Sequence, residues 1–347
     1  MAEPNNEPSR YKMLASKYRP LLVLYPEIPS GSIRTTHPNW RAGGPPLTHD
    51  YHPRDIKLVL ENSAIMGEKE ESGDWEVMLD KMEAAGRRRL DVVVGAGPGD
   101  RDAFWQRYAN IDKSLPKYAH RGYAHIVAKQ RGRYKGLLAI EYWYAYLYND
   151  WKTVHEMDWE EVVVILRVNQ PGNEVPIACA GSAHHGGYRL MWDKVEKAND
   201  QGNPDNNGTH PVIYVAQGSH ANYFYGGQRY TTTAEVFNGL FIRSGKFPFS
   251  GEFVDFAASF NDGERHLIEA ALIPPPRQNQ WTGEWRWLNF RRRWGSAGSR
   301  LNPLVQNAPA ALVVRTLQWH EPFMWVDMVC QEAPGHPTWL QRCFRPA

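Results

Sequence analysis

The chain has 347 residues, 42% of them hydrophobic, with 14 Trp, 17 Tyr and 12 Phe, which supplies a sizeable core and excludes a disordered chain. A formal net charge of +2, with basic runs no longer than Arg87-Arg88-Arg89 and Arg291-Arg292-Arg293, excludes the electrostatic footprint of a nucleic-acid binder. Cys179, Cys330 and Cys343 are odd in number and far apart, against both a disulfide framework and a cysteine zinc site, and no stretch reaches the ~20 apolar residues of a membrane helix.

The N-terminus, MAEPNNEPSRYKMLASKYRP, is polar and lacks the apolar core of a signal peptide, so a soluble, intracellular protein is expected. It leads into a short helix ended by Pro20, and Leu21 to Tyr25 then reads as a buried strand. A proline-rich loop runs to residue 54, after which Ile56 to Leu60 resumes regular structure. Ser72 is the expected cap of a helix over about 74 to 85, with Trp75, Met78, Leu79 and Met82 on one face and Gly86 at its end. Asp91 to Val94 followed by Gly95-Ala96-Gly97-Pro98-Gly99-Asp100 imitates a dinucleotide loop, but Asp100 stands where the third glycine belongs and would face the pyrophosphate with a negative charge. A turn and helix cap is the better reading, and no nucleotide cofactor is expected.

Strand-like segments follow over 118–129, 176–182 and 211–218, divided by Gly, Asn and Pro-rich turns. Between them lies Glu141 to Leu166, in which period-two alternation puts Tyr142, Tyr144, Tyr146 and Tyr148 on one face and Trp143, Ala145 and Leu147 on the other. The second strand begins near Asp158, so Asp158 and Glu160 share a face and His155 sits in the turn before them. The pattern predicts a mainly β fold, a two-sheet, jelly-roll-like sandwich decorated by helices and long loops. Residues 1–136 are expected to pack as an N-terminal segment on a core formed by 137–347, the two making one compact unit.

Four polar clusters can carry chemistry: Asp50-Tyr51-His52-Pro53-Arg54-Asp55; His155 with Asp158 and Glu160; Ser182-Ala183-His184-His185-Gly186-Gly187-Tyr188; and His210 with Gly218-Ser219-His220. The last three stand at strand ends, which neighbouring strands bring to one rim. His155, Asp158 and Glu160, with Asp150 as a fourth, offer the lone pairs and charge that Mg, Mn, Ca or Zn needs. Spacing equally allows His155 and Asp158 to cap a hairpin while Glu160 pairs with a basic group, and His184, His185 and His220 to be core or turn histidines. Ser219 and His220 are adjacent on a strand and point to opposite faces, which argues against a serine nucleophile.

Taken in order, ASKYRPLLVLYP, DYHPRDI, YWYAYLYND, HEMDWE, SAHHGGY with Trp192 shortly after, HPVIYVAQGSHANYF and FRRRWG resemble the vacuolar protein sorting protein sixty-two-like family, over roughly residues 14 to 60 and 137 to 345. Met157 departs from that pattern, which carries glycine there. The run His155, Asp158, Trp159, Glu160, with His185-Gly186-Gly187-Tyr188 and His210-Pro211, is also similar to the necrosis-inducing cytolysins. That resemblance implies a β-sandwich with a metal at the matching His, Asp and Glu and an upstream Asp corresponding to Asp150; it does not imply cytolysis.

The leading expectation is a metal-dependent enzyme for a small organic or lipid-like substrate, working by hydrolysis, elimination or rearrangement. In it His155, Asp158, Glu160 and Asp150 hold the ion, and His185, His220 and His184 are acid/base candidates because imidazole titrates near neutral pH. Tyr142, Tyr144, Tyr146, Tyr148, Trp159 and Tyr188 would shape the pocket. The alternatives are a non-catalytic, metal-organised module for glycan or lipid headgroups, and a trafficking or structural protein without a site. Oligomeric state is not legible in the chain.

Overall fold

In a computed structural model the described residues are 7–27, 51–92, 99–151, 154–170, 172–184, 186–227, 229–232, 253–261, 263–296 and 309–333. The element order is α1 (Glu7–Lys17), β1 (Leu21–Leu24), α2 (Ile56–Glu61), β2 (Ser63–Ile65), α3 (Trp75–Ala84), β3 (Leu90–Val92), α4 (Arg101–Asn110), β4 (Gly122–Lys129), β5 (Leu137–Asn149) and β6 (His155–Gln170). There follow β7 (Asn173–Ala183), β8 (Gly186–Met191), β9 (Lys197–Ala198), β10 (His210–Val215), β11 (Asn222–Tyr223), β12 (Arg229–Thr232), β13 (Phe253–Phe256), β14 (Glu264–Leu267) and β15 (Ala270–Leu272). A helix at Pro322–Met328, α5, and β16 (Cys330–Glu332) come last.

The mainly β architecture is as expected. Seven strands make one sheet in the order β15-β4-β5-β6-β7-β8-β16, and β11-β10-β1-β14, with β9 beside β10, make a second. Pairing in the large sheet is antiparallel except at its edges, where β15 runs parallel to β4 and β16 parallel to β8. The two sheets pack through Leu22, Leu24, Ile213 and Val215 on one side and Ile140, Tyr142, Tyr144, Tyr146, Val162 and Val164 on the other. The opposite face of the large sheet is covered by α2, α3 and α4, whose Leu58, Met78, Leu79 and Phe104 meet Trp143, Ala145 and Leu147, and towards β7 by Phe323, Trp325 and Val326 of α5. The central strands are therefore covered on both faces, which is why β5 is buried along its whole length and reads as a near-continuous apolar run.

Two local features differ from what the sequence predicts. Asp74, not Ser72, caps α3: its carboxylate accepts from the N–H groups of Glu76 and Val77, while the Ser72 hydroxyl donates to the Asp74 carbonyl. Tyr148 leaves the tyrosine face, stacking on Phe104 at 4.3 Å in the helix-side core. The change of face is shared by both strands: on β6 Met157 has a φ of +54° that interrupts the alternation, and Glu156, cross-strand from Tyr148, turns its carboxylate to the N–H groups of Val92 and Ser296. The Met157 φ lies in the backbone region that favours glycine. Asp100 accepts from the Ala103 N–H and caps α4, in keeping with the cap reading of its loop; residues 93–98 of that loop lie outside the described residues.

Candidate functional site

The expected rim forms where the β5–β6 hairpin, the end of β7 and the turn from β10 to β11 meet. β6 starts at His155, three residues earlier than expected. Register pairs Tyr146 with Asp158 and Tyr144 with Glu160, directing both carboxylates toward the second sheet. Gly181 of β7 makes the approach of that sheet possible, since a β-carbon there would lie 2.7 Å from that of Asn222. Met157, His184 and His220 are three of the five non-glycine residues with positive φ among those described, so backbone strain is concentrated at this rim.

Two acid–imidazole pairs result. His220 Nδ1 lies 3.2 Å from Asp158 Oδ2, which also accepts from the Asn149 amide at 3.0 Å, while Asp158 Oδ1 accepts from the Trp159 N–H. The His220 ring stacks on Tyr146 at 3.9 Å between centroids. Burial alone would raise the Asp158 carboxyl, but the hydrogen bond from His220 and the nearby His155 hold it below its usual range. Burial lowers His220 despite Asp158, leaving the imidazole neutral at pH 7; Nδ1 then carries the proton given to Asp158, and the buried Nε2 keeps a lone pair with no protein partner.

In the second pair, His184 Nε2 lies 2.6 Å from Asp255 Oδ2, and Asp255 also accepts from Ser219 Oγ at 2.8 Å and the Tyr223 hydroxyl at 2.5 Å. Burial works against both charges, yet each favours the other's charged form, so His184 is raised and Asp255 lowered. Trp151 stacks on His184 at 4.3 Å. Between the pairs, the Ser182 hydroxyl donates to Glu160 and accepts from the Glu161 N–H; burial and then the charge of Asp158 push the Glu160 carboxyl well above its usual range. Sequence reasoning missed Asp255 and Asn149, because an isolated Asp in FVDF and one Asn at a strand end carry no local signal.

The residues expected to hold a metal share this neighbourhood but are already engaged. Asp150 pairs with Arg101 at 3.2 Å, Glu160 with Ser182, Asp158 with His220 and Asn149, and His155 Nδ1 donates to the Met157 carbonyl at 2.7 Å. The four do not form a set of donor atoms all within 4.8 Å of one another. An ion held by these four side chains would replace those hydrogen bonds. His185 lies outside the described residues, as does Asp50. His210 stands apart, bonded to the Arg19 carbonyl and Asp200. The aromatic set is dispersed in the core: Tyr142 donates to the Ala15 carbonyl between the sheets, Trp159 stacks on Trp287 at 5.6 Å on the helix side, and Tyr188 meets Tyr223 at 5.4 Å.

A cleft opens instead beside α2. It is shallow, with an enclosed volume of about 20 Å³, and Asp55, Lys57, Trp75, Arg121, Glu284 and Trp285 line it with Tyr123 and Trp287. Asp55 pairs with Arg121 at 2.8 Å and caps α2 by accepting from the Lys57 N–H. Burial raises the Asp55 carboxyl, against the lowering effect of that N–H and of Arg121. The Lys57 ammonium lies 4.6 Å from the Trp75 ring centre and 3.9 Å from Glu284. None of the aromatic residues expected to shape a pocket lines this cleft.

No family model matches the chain, and no curated protein matches it. Solved structures similar to it are necrosis- and ethylene-inducing proteins, the cytolysin group that the sequence distantly resembles. A complex of NLPPya with glucosamine is 16% identical over 62% of this chain and 66% of its own, with a TM-score of 0.30. A structure described as a toxin fold for microbial attack and plant defence is 17% identical over 59% and 61%, with a TM-score of 0.28. Necrosis and Ethylene inducing Protein 2 from the causal agent of cocoa's Witches Broom disease is 14% identical over 58% and 59%, with a TM-score of 0.23. The chain spans less than two thirds of each, and likenesses of this size carry no functional argument. No described helix is long and apolar enough to cross a membrane.

Proposed function

We propose that the chain is a binding protein for a polar, ring-shaped ligand of the glycan class, seated on the mouth of the shallow cleft beside α2. The observation that carries this reading is the meeting of the Trp75 and Trp285 side chains with the charged groups of Asp55, Arg121, Lys57 and Glu284 around one opening. A sugar presents C–H faces that pack on aromatic rings and hydroxyls that bond to carboxylates and guanidinium groups, so an aromatic wall with a few convergent polar groups suits it. The carboxylates of Asp55 and Glu284 would favour an amino sugar over a neutral one. Titration with neutral and amino monosaccharides, followed by tryptophan fluorescence, tests it: saturable quenching is expected, lost in Trp285→Ala and weakened in Asp55→Asn. No saturable response to any sugar of the panel sinks the reading.

A second reading, catalysis at the rim, is favoured by the buried lone pair of His220 Nε2. With Nδ1 anchored on Asp158, Nε2 is oriented to take a proton from a small substrate, and Asp158 would stabilise the resulting imidazolium. A divalent ion at His155, Asp158, Glu160 and Asp150 would add polarisation of a substrate oxygen, at the expense of the hydrogen bonds these groups now make. This reading requires His220→Gln to abolish turnover of an identified substrate while leaving the fold intact; full turnover in that variant removes it.

A further inference from the structure

Three histidines far apart in sequence meet at another place in the fold. One ring nitrogen each from His52, His120 and His266 lies within 4.8 Å of the other two. Their ring centroids are 5.4 Å apart for His52 and His120, 5.2 Å for His52 and His266, and 4.4 Å for His120 and His266. His52 is 2% exposed. The other two are partly exposed.

We infer that His52, His120 and His266 form a binding site for a late divalent transition metal, with zinc the reference ion, separate from the Asp158 rim; His52 belongs to the DYHPRDI run, while His120 and His266 lie outside every motif of the sequence. Three imidazoles with no thiolate are the donor set of Zn, Cu and Ni rather than of Mg or Ca. The tautomer of His52 is fixed for the task. Its Nε2 lies 2.7 Å from the Tyr25 carbonyl, which can only accept, so Nε2 bears the proton and Nδ1 the lone pair. That Nδ1 faces His120 Nε2 at 3.4 Å. Two nitrogens each at the usual zinc distance in a tetrahedral shell are about 3.4 Å apart, so this pair already has the spacing of a chelate.

The third nitrogen needs to move by at most about 1.4 Å to match. His266, on the short strand β14, is exposed enough to make that adjustment. Carboxylates flank the site: Glu264 Oε2 is 3.3 Å from His266 Nε2, and Glu27 Oε1 is 3.9 Å from His52 Nδ1, on the side an ion would occupy. Glu27 also pairs with Arg54 at 2.7 Å, which offsets the nearest positive charge. Three protein ligands leave a fourth position for water or a ligand atom. His52 is three residues before Asp55, and His120 immediately precedes Arg121, so a bound ion would tie together the two segments whose ion pair lines the cleft. This last consequence rests on the cleft reading; the metal site does not.

The test uses the full chain, stripped with chelator and titrated with Zn(II) by calorimetry and with Co(II) by visible absorption. One equivalent of zinc is expected, with a four-coordinate cobalt spectrum free of thiolate bands. His120→Gln and His266→Gln should each weaken zinc binding by at least ~10-fold, since each removes one of the three protein ligands, and Asp158→Asn should retain it. Should the variants fold poorly, NMR of the wild type decides, with three histidine rings expected to shift on zinc addition. Absence of saturable uptake, wild-type affinity in both histidine variants, loss of zinc in Asp158→Asn, or shifts confined to other histidines would each overturn the site. Sugar titration with and without zinc keeps the two proposals apart, because zinc uptake without sugar binding defeats the cleft reading and leaves the metal site standing.

Discussion

Gly181→Ala tests the sheet-to-sheet approach on which the rim depends. The added methyl would sit 2.7 Å from Asn222 Cβ, with the Asn222 carbonyl oxygen 3.5 Å away. The obstacle is the root of a buried side chain rather than its flexible end, so the sheets have to separate. Overpacking of this kind costs about 1–3 kcal/mol. Separation also strains the hydrogen bonds from Asn222 Nδ2 to the Glu161 carbonyl at 3.2 Å and to Ser182 Oγ at 3.5 Å, worth a further ~1 kcal/mol. The sum, about 2–4 kcal/mol, corresponds to a Tm lower by roughly 3–6 °C for a chain of this length. Calorimetric melting is the assay, with Gly186→Ala as control, because a β-carbon there meets nothing closer than the Val329 carbonyl at 4.0 Å. If Gly181→Ala melts within a degree of wild type, or if the control falls as far, the sheets do not approach as described.

Burial raises the Glu156 carboxyl to about 7, opposed by N–H groups of Val92 and Ser296. The folded state therefore holds a proton that the unfolded chain releases near 4.5, and stability from this group falls as pH rises from about 4.5 through 7, by on the order of 3 kcal/mol. Denaturant unfolding across that window should show Glu156→Gln with a flatter profile than wild type; parallel profiles would contradict the assignment. Asp158→Asn removes a group that favours the His220 imidazolium, so the His220 titration observed by NMR should move to still lower pH, and an upward shift would refute the pairing. Asp74→Ala should cost about 1 kcal/mol in chemical denaturation, as loss of a cap does, and Ser72→Ala much less. The reverse order would restore Ser72 as the cap.

Much of the fold was legible because its signals are local. Alternation in β5 identified a strand with an aromatic face, and the polar ends of β6 and β7 and of the turn after β10 pointed to a common rim. The rim's wiring was less legible. Asp255 is supplied by a strand whose sequence does not announce a site, and the phase change at Met157 depends on one backbone angle. Tyr148, beside that change, lies in the other core and leaves the tyrosine series divided.

The sequence by itself determined that this is a mainly β protein and marked His155, Asp158, Glu160, Ser182 and His220, with His210, as polar groups at strand ends that one rim could gather, because strand period and strand ends are properties of consecutive residues. Only the tertiary structure decided which of those groups bond to each other. It also brought His52, His120 and His266 together from a loop, the approach to β4 and a strand of the second sheet. Contacts between residues so far apart in the chain are set by how the layers pack, and no periodicity along the sequence encodes them.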